Sequence, residues 1–170
     1  MKMSASQPCL RKWIEMQGFV GLDDETLRAV GPWLRLAPAI CMVWTAIGTI
    51  ESSWKAIWGL VPFAFLGVVL PKHPFDLIYE WGFRRLLKSP PIPSYGAPRR
   101  FACAVATVWL GFTGWAFFSG VNYLGWFLGT AMFLIALVQV STGFCIPSFS
   151  FNRLMGRRGT PAVFACDPKR

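Results

Sequence analysis

The sequence predicts an all-α integral membrane protein: four transmembrane helices paired as two hairpins, plus an amphipathic interfacial helix between them. Three observations predict it. Of the 170 residues, 54% are hydrophobic and 15% charged, against about 25% charged in a soluble domain. Three runs contain no Asp, Glu, Lys, Arg or His: Leu36 to Ile50, Ala56 to Leu70, and Phe101 to Asn152. Finally, sixteen of the seventeen Lys and Arg residues fall outside the two hairpin turns, Lys55 being the exception. A chain this poor in polar groups cannot cover a soluble globule of its size, and it is too apolar to stay disordered. A single His excludes a multi-histidine metal site.

Residues 1–31 are mixed and polar, without the apolar core of a secretory signal, and read as a cytoplasmic segment. Asp23-Asp24-Glu25 followed by Leu27 and Val30 predicts a short helix with acidic residues at its positive end. Gly31-Pro32 stops it and launches the first hairpin, residues 32–70. Its spans, 32–50 and 54–70, are joined by Glu51-Ser52-Ser53. Both are short against the roughly 20 residues a crossing needs, so a re-entrant hairpin is the alternative. The third apolar run is about twice the length of one span. It must turn, and Ser119-Gly120-Val121-Asn122 is the natural place. This gives a second hairpin over 101–144, with spans 101–119 and 123–144, and a cytoplasmic tail over 145–170.

The central segment, 71–100, is more than a linker. Pro74 suits a first helical position, and Asp76, Glu80, Arg84 and Lys88 recur every four residues. Pro90-Pro91-Ile92-Pro93 ends the pattern. The expectation is an interfacial helix at about 74–88, lying on the membrane or packed against another subunit. The segregation of basic residues places both termini inside a bacterial cytoplasmic membrane. Arg84, Arg85, Lys88, Arg99 and Arg100 are expected to meet anionic headgroups. The net charge of +9 therefore calls for no nucleic-acid partner. A faint repeat at an offset of 65 aligns Arg35-Leu36-Ala37 and Val43-Trp44 with Arg100-Phe101-Ala102 and Val108-Trp109.

Few residues in the spans carry chemistry. Apart from thiols, the span cores hold no ionisable group, which argues against a proton or ion pump. Gly125 and Gly129 form a small-residue stripe for close helix packing, within the bundle or with a partner. Gln139 is costly to bury and is expected to bond across helices. His73, at the inner end of the second span, reads either as a helix cap or surface residue or as an axial ligand to a haem or chlorin. Cys145, where the fourth span ends, is a candidate thiol with Arg153 two turns further on. The other reading is an unreactive packing residue.

Arg99-Arg100-Phe101-Ala102, the Gly-rich apolar hairpin and Gly143-Phe144-Cys145 together resemble a bacterial family of four-helix membrane proteins catalogued as a domain of unknown function. The resemblance covers about residues 30–152. It implies an R-F-A start to the third span and a C-x-x-C-like end to the fourth, and Ser148 stands where many members carry the second Cys. It also implies a loose sulfur or thiol-redox context.

The expected function is a non-catalytic accessory or scaffold subunit of a larger membrane complex, a respiratory or photosynthetic assembly being a suitable host. It would pack helices, lipids or pigments. Its partners would be the bilayer and other membrane subunits. Any chlorin, haem or quinone would be met only through a partner or His73. The alternatives are a thiol-dependent protein of sulfur transfer or disulfide exchange acting through Cys145, and a small oligomeric transporter.

Overall fold

The computed structural model describes residues 7–19, 21–84 and 90–155. Among these residues every regular element is helical. Helix α1 (Gln7–Met16) leads to α2 (Asp24–Val30), where the Asp23 carboxylate accepts the Thr26 N–H at 3.0 Å as the N-cap. A 3₁₀ turn over Trp33–Arg35 runs directly into α3 (Leu36–Ile50). Ser53 caps α4 (Trp54–Val69). The helical turn α5 (Asp76–Ile78) continues as a π-helical turn, Tyr79–Phe83. Then come α6 (Ala97–Phe118), α7 (Asn122–Thr142) and α8 (Ile146–Leu154).

Helices α3, α4, α6 and α7 form a ring in which each is antiparallel to both neighbours. α4 packs chiefly on α6, and α3 on α7, and the partners within each hairpin also pack on each other. The polarity is inverted relative to a soluble bundle. Val43, Ile47, Phe65, Val108, Phe112, Trp115, Phe127 and Leu134 point outward. The ring closes inward on Ile57, Leu60, Ala64 and Leu110, with Thr45, Thr49 and Thr113 buried beside them. Thr113 satisfies its hydroxyl on the Trp109 carbonyl of its own helix, at 2.8 Å. Three helices are long and apolar enough to cross a membrane: Trp33–Ile50, Ala97–Phe118 and Asn122–Thr142. α4, with 16 residues, is about 24 Å long, short of the roughly 30 Å of a hydrocarbon core.

The small-residue stripe works inside this ring. A Cβ on Gly125 would meet the Phe117 ring at 2.5 Å, and one on Gly129 would collide with Thr49 of α3. The two aligned tryptophans of the faint repeat play equivalent parts. Trp44 Nε1 donates to the Ala56 carbonyl at 2.9 Å and Trp109 Nε1 to the Leu128 carbonyl at 3.0 Å, each on the second helix of its own hairpin.

A cap closes one end of the ring. Ile14, Phe19, Leu27, Val30, Leu34, Tyr79, Ile92 and Tyr95 make a second apolar core there, separate from that of the bundle. Gly143 takes a left-handed conformation (φ 82°) and ends α7, so the chain can turn into α8 beneath the bundle. Asn152 of α8 donates to the Met16 carbonyl at 2.7 Å and locks α8 to α1. Arg35 donates to the Val140 and Ser141 carbonyls, both at 3.1 Å, and so satisfies the negative end of α7.

The central helix differs from the expectation in its facing. It begins where expected and continues through Arg84; residues 85–88 lie outside the described residues. The polar stripe, however, is turned inward. Asp76 and Tyr79 are fully buried, while Leu77, Ile78 and Trp81 are 46%, 50% and 75% exposed. Tertiary partners hold it there: Asp76 accepts the Tyr95 hydroxyl (2.7 Å), and Glu80 is drawn inward by Lys72 (2.5 Å), Arg84 (2.9 Å) and the Ile92 N–H (3.0 Å).

Candidate functional site

The seam between cap and bundle holds the one concentration of buried polar groups facing a sizeable cavity among the described residues. Arg99 stands at its centre. Gly96-Ala97-Pro98 starts α6, so Arg99 falls in the first helical turn, with the helix dipole set against its charge. It was expected at the headgroups, but it is 4% exposed. The reason is the N-terminal segment folding under the bundle. Arg99 Nη1 donates to the Gln17 amide oxygen, and Nη2 donates to the Leu34 carbonyl at 2.8 Å. Gln17 in turn donates to the Gly143 carbonyl at 2.7 Å, tying α1, α6 and the α7–α8 corner together. The guanidinium lies 4.9 Å from the Tyr95 ring centre and 5.7 Å from that of Phe19.

Next to it lies a carboxyl. Asp76 Oδ2 accepts the Tyr95 hydroxyl at 2.7 Å and the His73 N–H at 3.3 Å. Asp76 Oδ1 is buried with no partner among the described residues. Burial pushes the Asp76 carboxyl above the ordinary carboxylate range, against the opposing pull of Tyr95 and Arg99. Tyr95 is likewise raised by burial and stays a neutral donor.

His73 lies three residues before α5 and bonds to the chain that leads into it. Its Nδ1 accepts the Phe75 N–H at 3.3 Å, while Asp76 reaches back to the His73 N–H. With Nδ1 accepting, the ring proton sits on Nε2. Burial, followed by the nearby charge of Arg99, lowers the His73 pKa from 6.5 to about 4, so the ring is neutral at physiological pH.

These groups border a cavity of about 130 Å³ between the four long helices. His73, Tyr95 and Arg99 line its cap end, and Val105, Ala106, Leu110 and Met132 line its depth. Cys41, Cys103 and Gln139 also face it. A Cβ on Gly67 would lie 2.6 Å from His73 Cδ2 and 3.0 Å from Cys103 Sγ, so thiol and imidazole are near neighbours across that glycine. A tetrapyrrole does not fit such a volume, which sets aside axial ligation by His73 within it. Among the described residues, no group of three or more His, Cys, Asp or Glu side chains is placed to hold a metal ion.

The other sequence candidates fall outside this centre or at its edge. Cys145 is fully buried as the N-cap residue of α8, and its sulfur accepts the Ser148 hydroxyl at 3.1 Å. Ser148 also reaches the Pro98 carbonyl, at 3.1 Å. Arg153 is exposed in the last turn of the same helix, at the end remote from Cys145. Gln139 makes no side-chain bond across helices among the described residues. Arg84 pairs with Glu80. Arg100 is half-buried, with a buried Nε that has no partner among the described residues. Arg85 and Lys88 lie outside the described residues. Sequence reasoning missed Asp76, Tyr95, Gln17 and Cys103 as members of one site. An arginine placed against a helix dipole, in Gly96-Ala97-Pro98-Arg99, is the signal that could have raised the question.

Fold and site together define a helical protein with apolar, membrane-length helices and a small cavity closed at one end by a buried cation. Residues 31–156 match the model of a domain of unknown function, DUF4395. The chain belongs to that family. No curated protein matches it, and neither does any solved structure.

Proposed function

We propose that this is a multi-pass protein of the bacterial inner membrane, with four spans and both termini cytoplasmic. It holds a small ligand at the inner end of its bundle and serves as an accessory to other membrane proteins rather than as an enzyme. The observation that carries the ligand reading is Arg99, buried at the cap end of a 130 Å³ cavity and, among the described residues, bonded only to uncharged acceptors. A scaffold that only packed helices would gain nothing from a buried charge, which costs several kcal/mol to desolvate. Supporting the membrane assignment are the outward apolar faces of the ring. Leu77, Ile78 and Trp81 extend that surface to the central helix and suit it to the interface. α4 reaches across if the bilayer thins locally or if Lys55 and flanking residues snorkel.

A second reading, a thiol-dependent role, is favoured by one observation. It belongs to Cys103, which faces the cavity beside His73, rather than to Cys145.

The test is to fill the cavity. Ala106→Trp should keep the helical content of the wild type by circular dichroism. Small ligands that raise the thermal midpoint of the wild type should fail to raise that of the variant. If no small molecule distinguishes the two proteins, the ligand reading falls.

A further inference from the structure

We infer that the cavity binds a small amphiphilic anion: a carboxylate or sulfonate head held by Arg99 and His73, on an apolar body of about six heavy atoms. The inference rests on the reading above that the cavity is a binding site, and it names the chemistry. Arg99 is 4% exposed, and among the described residues two of its five N–H donors are used, both on neutral oxygens. Among the described residues no carboxylate lies within 4.0 Å of it. A cation so placed, in the first turn of α6 against the dipole, is stabilised by an arriving anion more than by any group it now touches.

The neighbouring acid does not serve as that anion. Asp76 Oδ2 is committed to the Tyr95 hydroxyl and the His73 N–H. Its carboxyl is pushed toward the neutral form by burial. His73 adds a donor, because its Nδ1 is occupied by the Phe75 N–H and Nε2 carries the proton. A neutral donor beside a fixed cation selects a negative head without repelling a polar one.

The rest of the cavity is wrong for a bare inorganic ion. Val105, Ala106, Leu110, Met132 and Ala136 offer it no hydrogen bond. Its volume, about 130 Å³, is close to the roughly 150 Å³ of apolar cavity that accommodates a benzene ring. A ring or short branched chain bearing one negative group matches both ends.

The experiment uses the full chain in a non-ionic detergent. The probes are benzoate and benzenesulfonate, benzyl alcohol as a neutral analogue, and sulfate as a head without a body. Binding is followed by thermal midpoint and by tryptophan fluorescence, since Trp109 lines the cavity. Benzoate and benzenesulfonate should bind at least tenfold tighter than benzyl alcohol, with sulfate weaker still. Arg99→Gln should erase the tenfold preference for the two anions over benzyl alcohol. Ala106→Leu, which leaves Arg99 in place, should weaken all three organic probes at least fivefold, and it decides the matter if Arg99→Gln does not fold. Equal binding of benzyl alcohol and benzoate by the wild type would overturn the anion inference and leave the cavity reading standing. Sulfate binding as tightly as benzoate would overturn the amphiphilic assignment. Binding of none of the probes would overturn both.

Discussion

Mild acid should loosen this protein through one residue, His73. In the folded chain its pKa is lowered from 6.5 to about 4, by burial first and by Arg99 second. A depressed histidine pKa means that the unfolded chain takes up a proton that the native chain refuses. Stability contributed by the neutral ring is therefore complete above pH 6.5 and is lost as pH falls toward 4. Each pKa unit corresponds to about 1.4 kcal/mol, so the expected loss is about 2 kcal/mol between pH 7 and pH 5 and about 3 kcal/mol by pH 4. Asp76 works in the opposite sense: its raised pKa favours the folded protein as its proton is bound on acidification. The two are separated by comparing the wild type with His73→Asn. The asparagine amide oxygen can still accept the Phe75 N–H that His73 Nδ1 accepts at 3.3 Å, and it does not titrate. Thermal midpoints across pH 4 to 8 in one detergent should fall steeply on the acid side for the wild type. The variant should show a flatter acid limb. Parallel acid limbs for the two proteins would refute the argument that burial at the seam holds the ring neutral.

Three further expectations follow from the same geometry. Cys145 is fully buried against Ser148. It should react slowly with a soluble thiol reagent at neutral pH, and Cys145→Ser should assemble normally; rapid labelling of Cys145 in a variant that keeps no other cysteine would contradict this. Gly67→Ala would press a Cβ to within 2.6 Å of His73 Cδ2 and 3.0 Å of Cys103 Sγ. It should lower stability by about 1–3 kcal/mol in denaturant titrations, and an unchanged midpoint would show the seam to be looser than described. Single-cysteine variants in the turns at 51–53 and 119–122 should be labelled by an impermeant reagent from outside the cell. Positions 95 and 160 should not be, and outside labelling at either would sink the four-span topology.

The helices themselves were legible in the sequence because their causes are local. Absence of charge over Leu36–Ile50, a Ser-rich turn at 51–53 and Gly120 at the second turn act within a few residues of themselves. The helix ends accordingly lie within a few residues of the expected spans. The start of the central helix was legible for the same reason, through His73-Pro74-Phe75-Asp76. Its facing was not. Which way a polar stripe faces depends on its partners, and those of Asp76 and Glu80, the Tyr95 hydroxyl and the Ile92 N–H, lie 19 and 12 residues further along the chain.

By itself, then, the sequence determined an apolar helical chain of membrane character, its hairpins and its family. Only the tertiary structure decided the site. Counting basic residues by segment treats Arg99 like Arg84, because both lie in the central segment between two apolar runs. What separates them is Gln17, 82 residues away in sequence, and Leu34, 65 residues away, which meet Arg99 only once α1 and the 3₁₀ turn fold beneath the bundle. Asp76 and Tyr95, Cys103 and His73 are likewise brought together across separate elements. Burial of a charge is a property of everything packed around it, and no local pattern of residues encodes that.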